Sequence, residues 1–345
     1  MNVLYRAALE QVEDSVEVSG KTFLVTGASG LIGSCLIDLM MLACENGKTN
    51  HIYALGRSSK KLEKRFSGYL DSDYFHIIEQ DICSPFNDDF HFDYIIHGAS
   101  HADPINYAKY PVETMKTNLM GIINVLEYAR KHSNCHVELL STFEVYGHAG
   151  KDEYSESDVG MLDFNTLRAC YPESKRAAET LARCYQDEYN LKVKIGRLAS
   201  IYGPTMAIDD SKAHAQFLRN AIEGKDIVLK SQGIQKRTYC YVIDAVTAIL
   251  HILFHGKEGE AYNISNEKSI VTIAQLAQII AEISGRKVIF DLPSDLESKG
   301  FSKPQNCILN NGKLRDLGWS GRYDIRRGVE ESLSILGQTK MMLES

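Results

Sequence analysis

The run Lys21-Thr22-Phe23-Leu24-Val25-Thr26 passes directly into Gly27-Ala28-Ser29-Gly30-Leu31-Ile32-Gly33, and a helical pattern follows to about Cys44. An apolar run bounded by a glycine turn and then a helix reads as a buried strand of an α/β sheet. The glycines permit a tight turn. They also let a pyrophosphate approach the helix N-terminus, where unpaired N–H groups point outward. Gly27, Ser29, Gly30, Leu31, Ile32 and Gly33 are therefore candidate contacts to a dinucleotide.

Strand–helix alternation continues to about residue 200. The second strand, His51-Ile52-Tyr53-Ala54-Leu55, ends at Gly56-Arg57-Ser58. An acid usually stands there to hold the ribose hydroxyls of NAD. Its absence, with Arg57 and Ser58 following, favours a 2′-phosphate and hence NADP; the plainer reading of Arg57 is a solvated surface charge. The third strand ends at Asp81-Ile82, where a carboxylate suits an adenine amino group. The fourth, Phe92 to His97, ends in Gly98-Ala99-Ser100, small enough for a flat cofactor to approach. His97 reads as a structural hydrogen-bonder. The helix over 112–132 carries Asn118, a cofactor candidate, although a mid-helix Asn ordinarily faces water. The strand His136 to Leu140 delivers Ser141, Thr142 and Glu144 to the same sheet edge, beyond which ligands of open α/β sheets bind.

A helix from about Tyr171 to Tyr189 follows, with Pro172 in its first turn. Tyr171 and Lys175 lie about one turn apart on one face. A free Tyr titrates near ~10 and is a poor base at neutral pH. A neighbouring ammonium and a cationic nicotinamide would make it a usable one. The expected architecture is a Rossmann-type doubly wound parallel sheet over residues 1–200. A smaller mixed α/β substrate lobe is expected over 201–345, with helices near 212–223, 242–255, 272–284 and 324–336 and some segments returning to the first domain.

The chain of 345 residues is long enough for this pair of units. A formal charge of -7 and a pI near 5.9 argue against a nucleic-acid partner. Eight cysteines without metal-like spacing read as reduced thiols, with no metal expected. The acidic N-terminal stretch has no secretory pattern, and no apolar run approaches the ~20 residues of a membrane span. A cytoplasmic protein is expected.

These residues together resemble the extended short-chain dehydrogenase/reductase family. The resemblance rests on the glycine turn, Asp81, His97-Gly98-Ala99-Ser100, the Ser141-to-Gly147 stretch, Tyr171/Lys175, and Arg237-Thr238-Tyr239-Cys240-Tyr241-Val242-Ile243-Asp244. Three further stretches look most like its UDP-glucuronate decarboxylases: Asp103 to Tyr107 with Lys116-Thr117-Asn118, Arg168 through Arg176, and Gly203-Pro204-Thr205-Met206 into Asp209-Asp210. The resemblance implies a nucleotide-diphosphate sugar as substrate and a tightly bound NAD(P), with family precedent leaning to NAD. It implies Tyr171 as the base for the sugar O4 proton, Lys175 as its partner on the nicotinamide ribose, Thr142 on O4 and Glu144 on the C5 side. Asn106, Tyr107, Phe143 and Arg168 would face the sugar, Arg237 the diphosphate, and Phe217 and Val228 the base. A homodimer through a four-helix bundle of the 112–132 and 171–189 helices is implied too.

Phe143 departs from the family, whose decarboxylases carry Ser there and whose 4,6-dehydratases often carry Asp. Once C4 is a ketone, a glucuronate is a β-keto acid and loses carbon dioxide without a leaving-group acid. Water loss from C6 needs a proton donor, which Phe143 cannot be. The best reading is a UDP-glucuronate decarboxylase-type lyase. A 4,6-dehydratase using Glu144, a 4-epimerase, a net reductase and a catalytically silent binding regulator are the alternatives.

Overall fold

Phe23 and Val25 sit in one apolar core and Leu24, between them, in another. Strand β1 (Thr22–Thr26) is thus buried on both faces, as a period-two element covered by helices on each side must be. The structure is a computed structural model describing residues 1–87, 89–207, 209–292 and 306–344. The further strands, in chain order, are β2 (His51–Gly56), β3 (Phe75–Glu79), β4 (Tyr94–His97), β5 (His136–Thr142), β6 (Glu153–Tyr154), β7 (Lys192–Leu198), β8 (Ser200–Tyr202), β9 (Ile227–Leu229), β10 (Lys236–Tyr241), β11 (Ala261–Ile264), β12 (Ile270–Thr272), β13 (Val288–Phe290) and β14 (Ile308–Leu309). The helices needed here are α1 (Val3–Glu10), α2 (Leu31–Glu45), α3 (Ser59–Arg65), α4 (Pro104–Lys109), α5 (Pro111–Lys131), α6 (Cys170–Tyr189), α7 (Ala213–Ile222), α8 (Val242–His255) and α9 (Ile273–Ser284).

Seven parallel strands form the central sheet in the order β11-β7-β5-β4-β1-β2-β3. The chain winds outward from β1 in one direction through β2 and β3, then returns to β4 on the other side. That reversal opens a crevice between the C-terminal ends of β1 and β4, where Thr26 pairs in register with His97. Helices α2 and α8 cover one face; α5 and α6 pair on the other.

Helix α8 corrects one expectation. It was expected in the second lobe, yet it packs on α2, β5 and β7, and β11 after it is the edge strand of the main sheet. Nearly every residue from Val242 to Leu253 is buried. A helix apolar over most of its surface has to be enclosed, and the space over the sheet encloses it.

The remaining elements build the smaller lobe: sheet β12-β10-β8, the pairs β13-β9 and β14-β6, α7, α9 and the C-terminal helix Ile325–Glu344. Helix α9 is delimited by a reciprocal Thr272/Gln275 cap and by Gly285 at φ 65°. Asp103 joins the two units. One carboxylate oxygen caps α4, and the other accepts from the backbone N–H (3.0 Å) and hydroxyl (2.5 Å) of Ser211, just before α7. No described helix is long and apolar enough to cross a membrane.

Candidate active site

The glycine turn is dictated by close approach. Gly27 has φ 71°, and a Cβ there would lie 2.8 Å from the Gly98 carbonyl oxygen; a Cβ at Gly33 would lie 2.5 Å from that of Gly27. Helix α2 therefore begins directly against the turn, capped by Gly30 without a side-chain bond, so its first N–H groups face the crevice. Ser29, Leu31 and Ile32 line this turn half-exposed.

Thr26 holds the opposite wall. Its Oγ1 accepts from Gly98 N (3.2 Å) and Ala99 N (3.1 Å). Its proton therefore goes to His97 Nδ1, 2.9 Å away. Burial, with the Lys175 charge behind it, pushes His97 down to about 3, so it is a neutral strut. Ile82 is buried, whereas Asp81 is exposed and caps the Cys83 N–H at 2.9 Å. Arg57 and Ser58 are exposed and, with Ser29, Gly56, Lys61 and Leu62, line a cavity of about 170 Å³.

Asn118 does not face water: it is 2% exposed, and its Nδ2 donates to Ser174 Oγ (2.8 Å), which donates to the Tyr171 carbonyl (2.9 Å). Packing of α5 against α6 encloses it, which a single-helix pattern cannot reveal. Its Oδ1 and the Ser100 Oγ are buried without a hydrogen-bond partner. Orphaned polar atoms beside a glycine cradle are what a polar cofactor would satisfy. The donor set fits a dinucleotide on these grounds.

Tyr171 and Lys175 are buried in the first turns of α6. Lys175 Nζ donates to the Leu140 carbonyl at 2.9 Å, and burial lowers it to about 8 against the pull of Glu179. The expected acidification of Tyr171 is not supplied by the protein. Burial raises its phenol above the ordinary value, the Glu144 carboxylate adds to this, and a hydrogen bond to Thr142 and the Arg168 charge oppose it. Burial outweighs the opposing Arg168 charge and Thr142 hydrogen bond, while Lys175 Nζ is directed at the strand carbonyl.

Thr142 Oγ1 also caps the Glu144 N–H at 3.3 Å. Glu144 pairs with Arg168 at 2.5 Å, Arg168 lies 4.5 Å over the Tyr107 ring, and Tyr107 stacks on Tyr171 with centroids 5.2 Å apart. Phe143 stands beside them with the Arg237 guanidinium 5.8 Å over its ring. Thr142, Phe143, Glu144, Tyr107, Arg168, Tyr171 and Arg237 are thus brought together. Asn106 is exposed on α4. Phe217 (buried, α7) and Val228 (half-buried, β9) lie together in the smaller lobe.

Sequence reasoning missed the scaffold beneath Thr142. Ser141 Oγ donates to Glu179 (2.6 Å), which pairs with buried Arg197 (2.7 Å), which donates to Tyr146 Oη (3.1 Å). Charged residues inside apolar runs, Glu179 on α6 and Arg197 on β7, were the available signal.

The chain is similar to UDP-glucuronic acid decarboxylase 6 of Arabidopsis thaliana, 32% identical over 318 residues, covering 90% of this chain and 87% of that one. It is similar to UDP-glucuronic acid decarboxylase 1 of Xenopus tropicalis, 30% identical over 319 residues, covering 92% and 72%. Its fold matches a dTDP-glucose 4,6-dehydratase from Bacillus anthracis solved with NAD (TM-score 0.77, 21% identity, 93% of this chain and 98% of that one). It also matches a UDP-glucuronic acid 4-epimerase from Bacillus cereus in complex with UDP-glucuronic acid and NAD (TM-score 0.77, 21% identity, 92% and 99%). With residues 23–265 matching its model, the chain belongs to the NAD dependent epimerase/dehydratase family.

Proposed function

We propose that the protein is a nucleotide-sugar lyase that decarboxylates a UDP-glucuronate-type substrate through a 4-keto intermediate and recycles its NAD(P) within each turnover. The observation that carries this reading is the convergence of Thr142, Glu144, Arg168 and Tyr107 on Tyr171, next to a phenylalanine at position 143 that has no proton to give. The relatives named as UDP-glucuronic acid decarboxylases over nine-tenths of the chain support it.

Gly27, Ser29, Gly30, Leu31, Ile32 and Gly33 would hold the pyrophosphate, Asp81 and Ile82 the adenine, and Gly98, Ala99, Ser100, Asn118 and Lys175 the nicotinamide nucleoside. Held there, the cofactor would supply reversible hydride acceptance from C4. Tyr171 removes the O4 proton and Thr142 holds that oxygen. The C6 carboxylate of the resulting β-keto acid leaves as carbon dioxide, its bonding electrons passing into an enolate on C5, C4 and O4. Tyr171 and Thr142 stabilise that oxygen, and C5 is reprotonated on the side where Glu144 stands. Arg237, a forked cation, suits the diphosphate; Asn106, Tyr107 and Arg168 suit the sugar, and Phe217 with Val228 the base.

NADP is supported by Arg57 and Lys61 around their cavity, at the edge where NAD enzymes carry an acid. Homodimer formation through α5 and α6 is supported by Val112, Met115, Met120 and Ile123, exposed apolar side chains on α5. All eight cysteines are free thiols, in keeping with a cytoplasmic setting.

The test is incubation with UDP-glucuronate and, separately, UDP- and dTDP-glucose, read by mass spectrometry. Loss of carbon dioxide from the glucuronate is expected. Water loss from a glucose nucleotide would instead make the protein a dehydratase with Glu144 as the acid.

A further inference from the structure

Helix α8 is apolar over most of its surface, and Asp244, Thr247, His251 and His255 fall on one stripe at spacings of three and four. The first three hold the segment before the C-terminal helix. Asp244 accepts from the backbone N–H groups of Arg322 (2.9 Å) and Tyr323 (3.1 Å), and Thr247 Oγ1 from Trp319 Nε1 (3.0 Å). His251 Nε2 donates to the Leu317 carbonyl at 3.1 Å. A carbonyl only accepts, so the neutral ring keeps its lone pair on Nδ1.

His255 turns away from that segment. Its Nε2 lies 2.8 Å from Glu17 Oε1, 238 residues away in the loop that leads into β1. The two imidazoles are 4.6 Å apart, centroid to centroid. One donor atom from each of Glu17, His251 and His255 lies within 4.8 Å of the others. His251 is half-buried; the other two are exposed and reachable. Docking the C-terminal segment requires only a donor at 251 and nothing at 255, and an exposed His–Glu pair by itself contributes little in water.

We propose that Glu17, His251 and His255 form a site for a divalent ion of the zinc class. Two imidazoles and a carboxylate, with water in the fourth position, are a tetrahedral zinc set. Imidazole donors disfavour Mg²⁺ and Ca²⁺, which take oxygen ligands. Ligands at ~2.0–2.2 Å from zinc stand roughly 3.4 Å apart, so side-chain rotations of about an ångström close the present spacing. The ion takes the place of the hydrogen bond between His255 Nε2 and Glu17, the imidazole N–H standing on Nδ1 when Nε2 binds. The Leu317 carbonyl steadies the His251 ring, as outer partners of metal-bound histidines do. The bound ion clips the segment entering β1 to the end of α8.

The experiment is equilibrium dialysis of tag-free, chelator-stripped, reduced protein against Zn²⁺, Co²⁺ and Mg²⁺. One Zn²⁺ per chain is expected, together with the visible bands of tetrahedral Co²⁺, no Mg²⁺, and a Tm raised by about 2 °C or more. His255→Asn, Glu17→Gln and His251→Asn, each made singly and checked for retained cofactor, should weaken zinc binding at least about tenfold. Absence of stoichiometric zinc, equal uptake of Mg²⁺, or unchanged zinc affinity in His255→Asn would overturn the site.

Discussion

The two walls of the crevice are made differently. The wall at β1 and β2 is mostly backbone, a glycine turn and a helix start without a side-chain cap, with the exposed cations Arg57 and Lys61 at its rim. The wall at α5 and α6 is side chain: Asn118, Tyr171 and Lys175 are buried, and the last two have displaced proton affinities. Sterics govern the first wall and protonation the second. A single atom added to the first, or a single proton moved on the second, is therefore the sharpest probe of each.

Tyr171→Phe should have the largest effect, because it removes the proposed base while leaving the ring stacked on Tyr107. A loss of about 10³-fold or more in kcat is expected, with cofactor content unchanged. Residual activity near wild type would place the base elsewhere. Next comes Gly27→Ala. Its Cβ would meet the Gly98 carbonyl oxygen at 2.8 Å at positive φ, costing about 1–3 kcal/mol. The expected outcome is loss of co-purifying cofactor and a lower Tm. A variant that keeps its cofactor would show that the turn tolerates widening.

A third probe is pH. Lys175 is lowered to about 8 by burial, so it carries its charge below that value and loses it above. If the charge supports Tyr171, kcat/KM falls as pH rises through about 8, and the fall is absent from the residual activity of Lys175→Met. A profile flat from neutrality to well above that value would separate the ammonium from catalysis. The smallest effect belongs to Arg57→Ala. An exposed cation facing a 2′-phosphate should change the NADP-to-NAD affinity ratio by no more than about tenfold, less at high salt. An unchanged ratio would return Arg57 to an ordinary surface charge.

Legibility in the sequence follows the same division. The glycine turn, β1 to β5 and the helix carrying Tyr171 could be read because each is a local pattern with its own period. Asn118 could not: its helix looks ordinary, and only the neighbouring α6 removes water from it. Helix α8 looked like part of a separate lobe because it follows the point where alternation fades. Its largely apolar surface is the sign that it belongs on the sheet. The Ser141–Glu179–Arg197–Tyr146 network joins residues scattered over more than fifty positions, so no motif announces it.

The sequence by itself determined the parallel sheet, the dinucleotide turn and the family, because spacing and steric size act over a few residues. It also settled which residue types were at hand for chemistry: a Tyr, a Lys, a Thr, a Glu, and a Phe that can neither donate nor accept a proton. Only the tertiary structure decided their state. Lys175 donates to the Leu140 carbonyl, Glu144 is held by Arg168, and burial raises Tyr171. Proton affinity depends on burial and on neighbouring charge within a few ångströms, and both come from segments far apart in the chain.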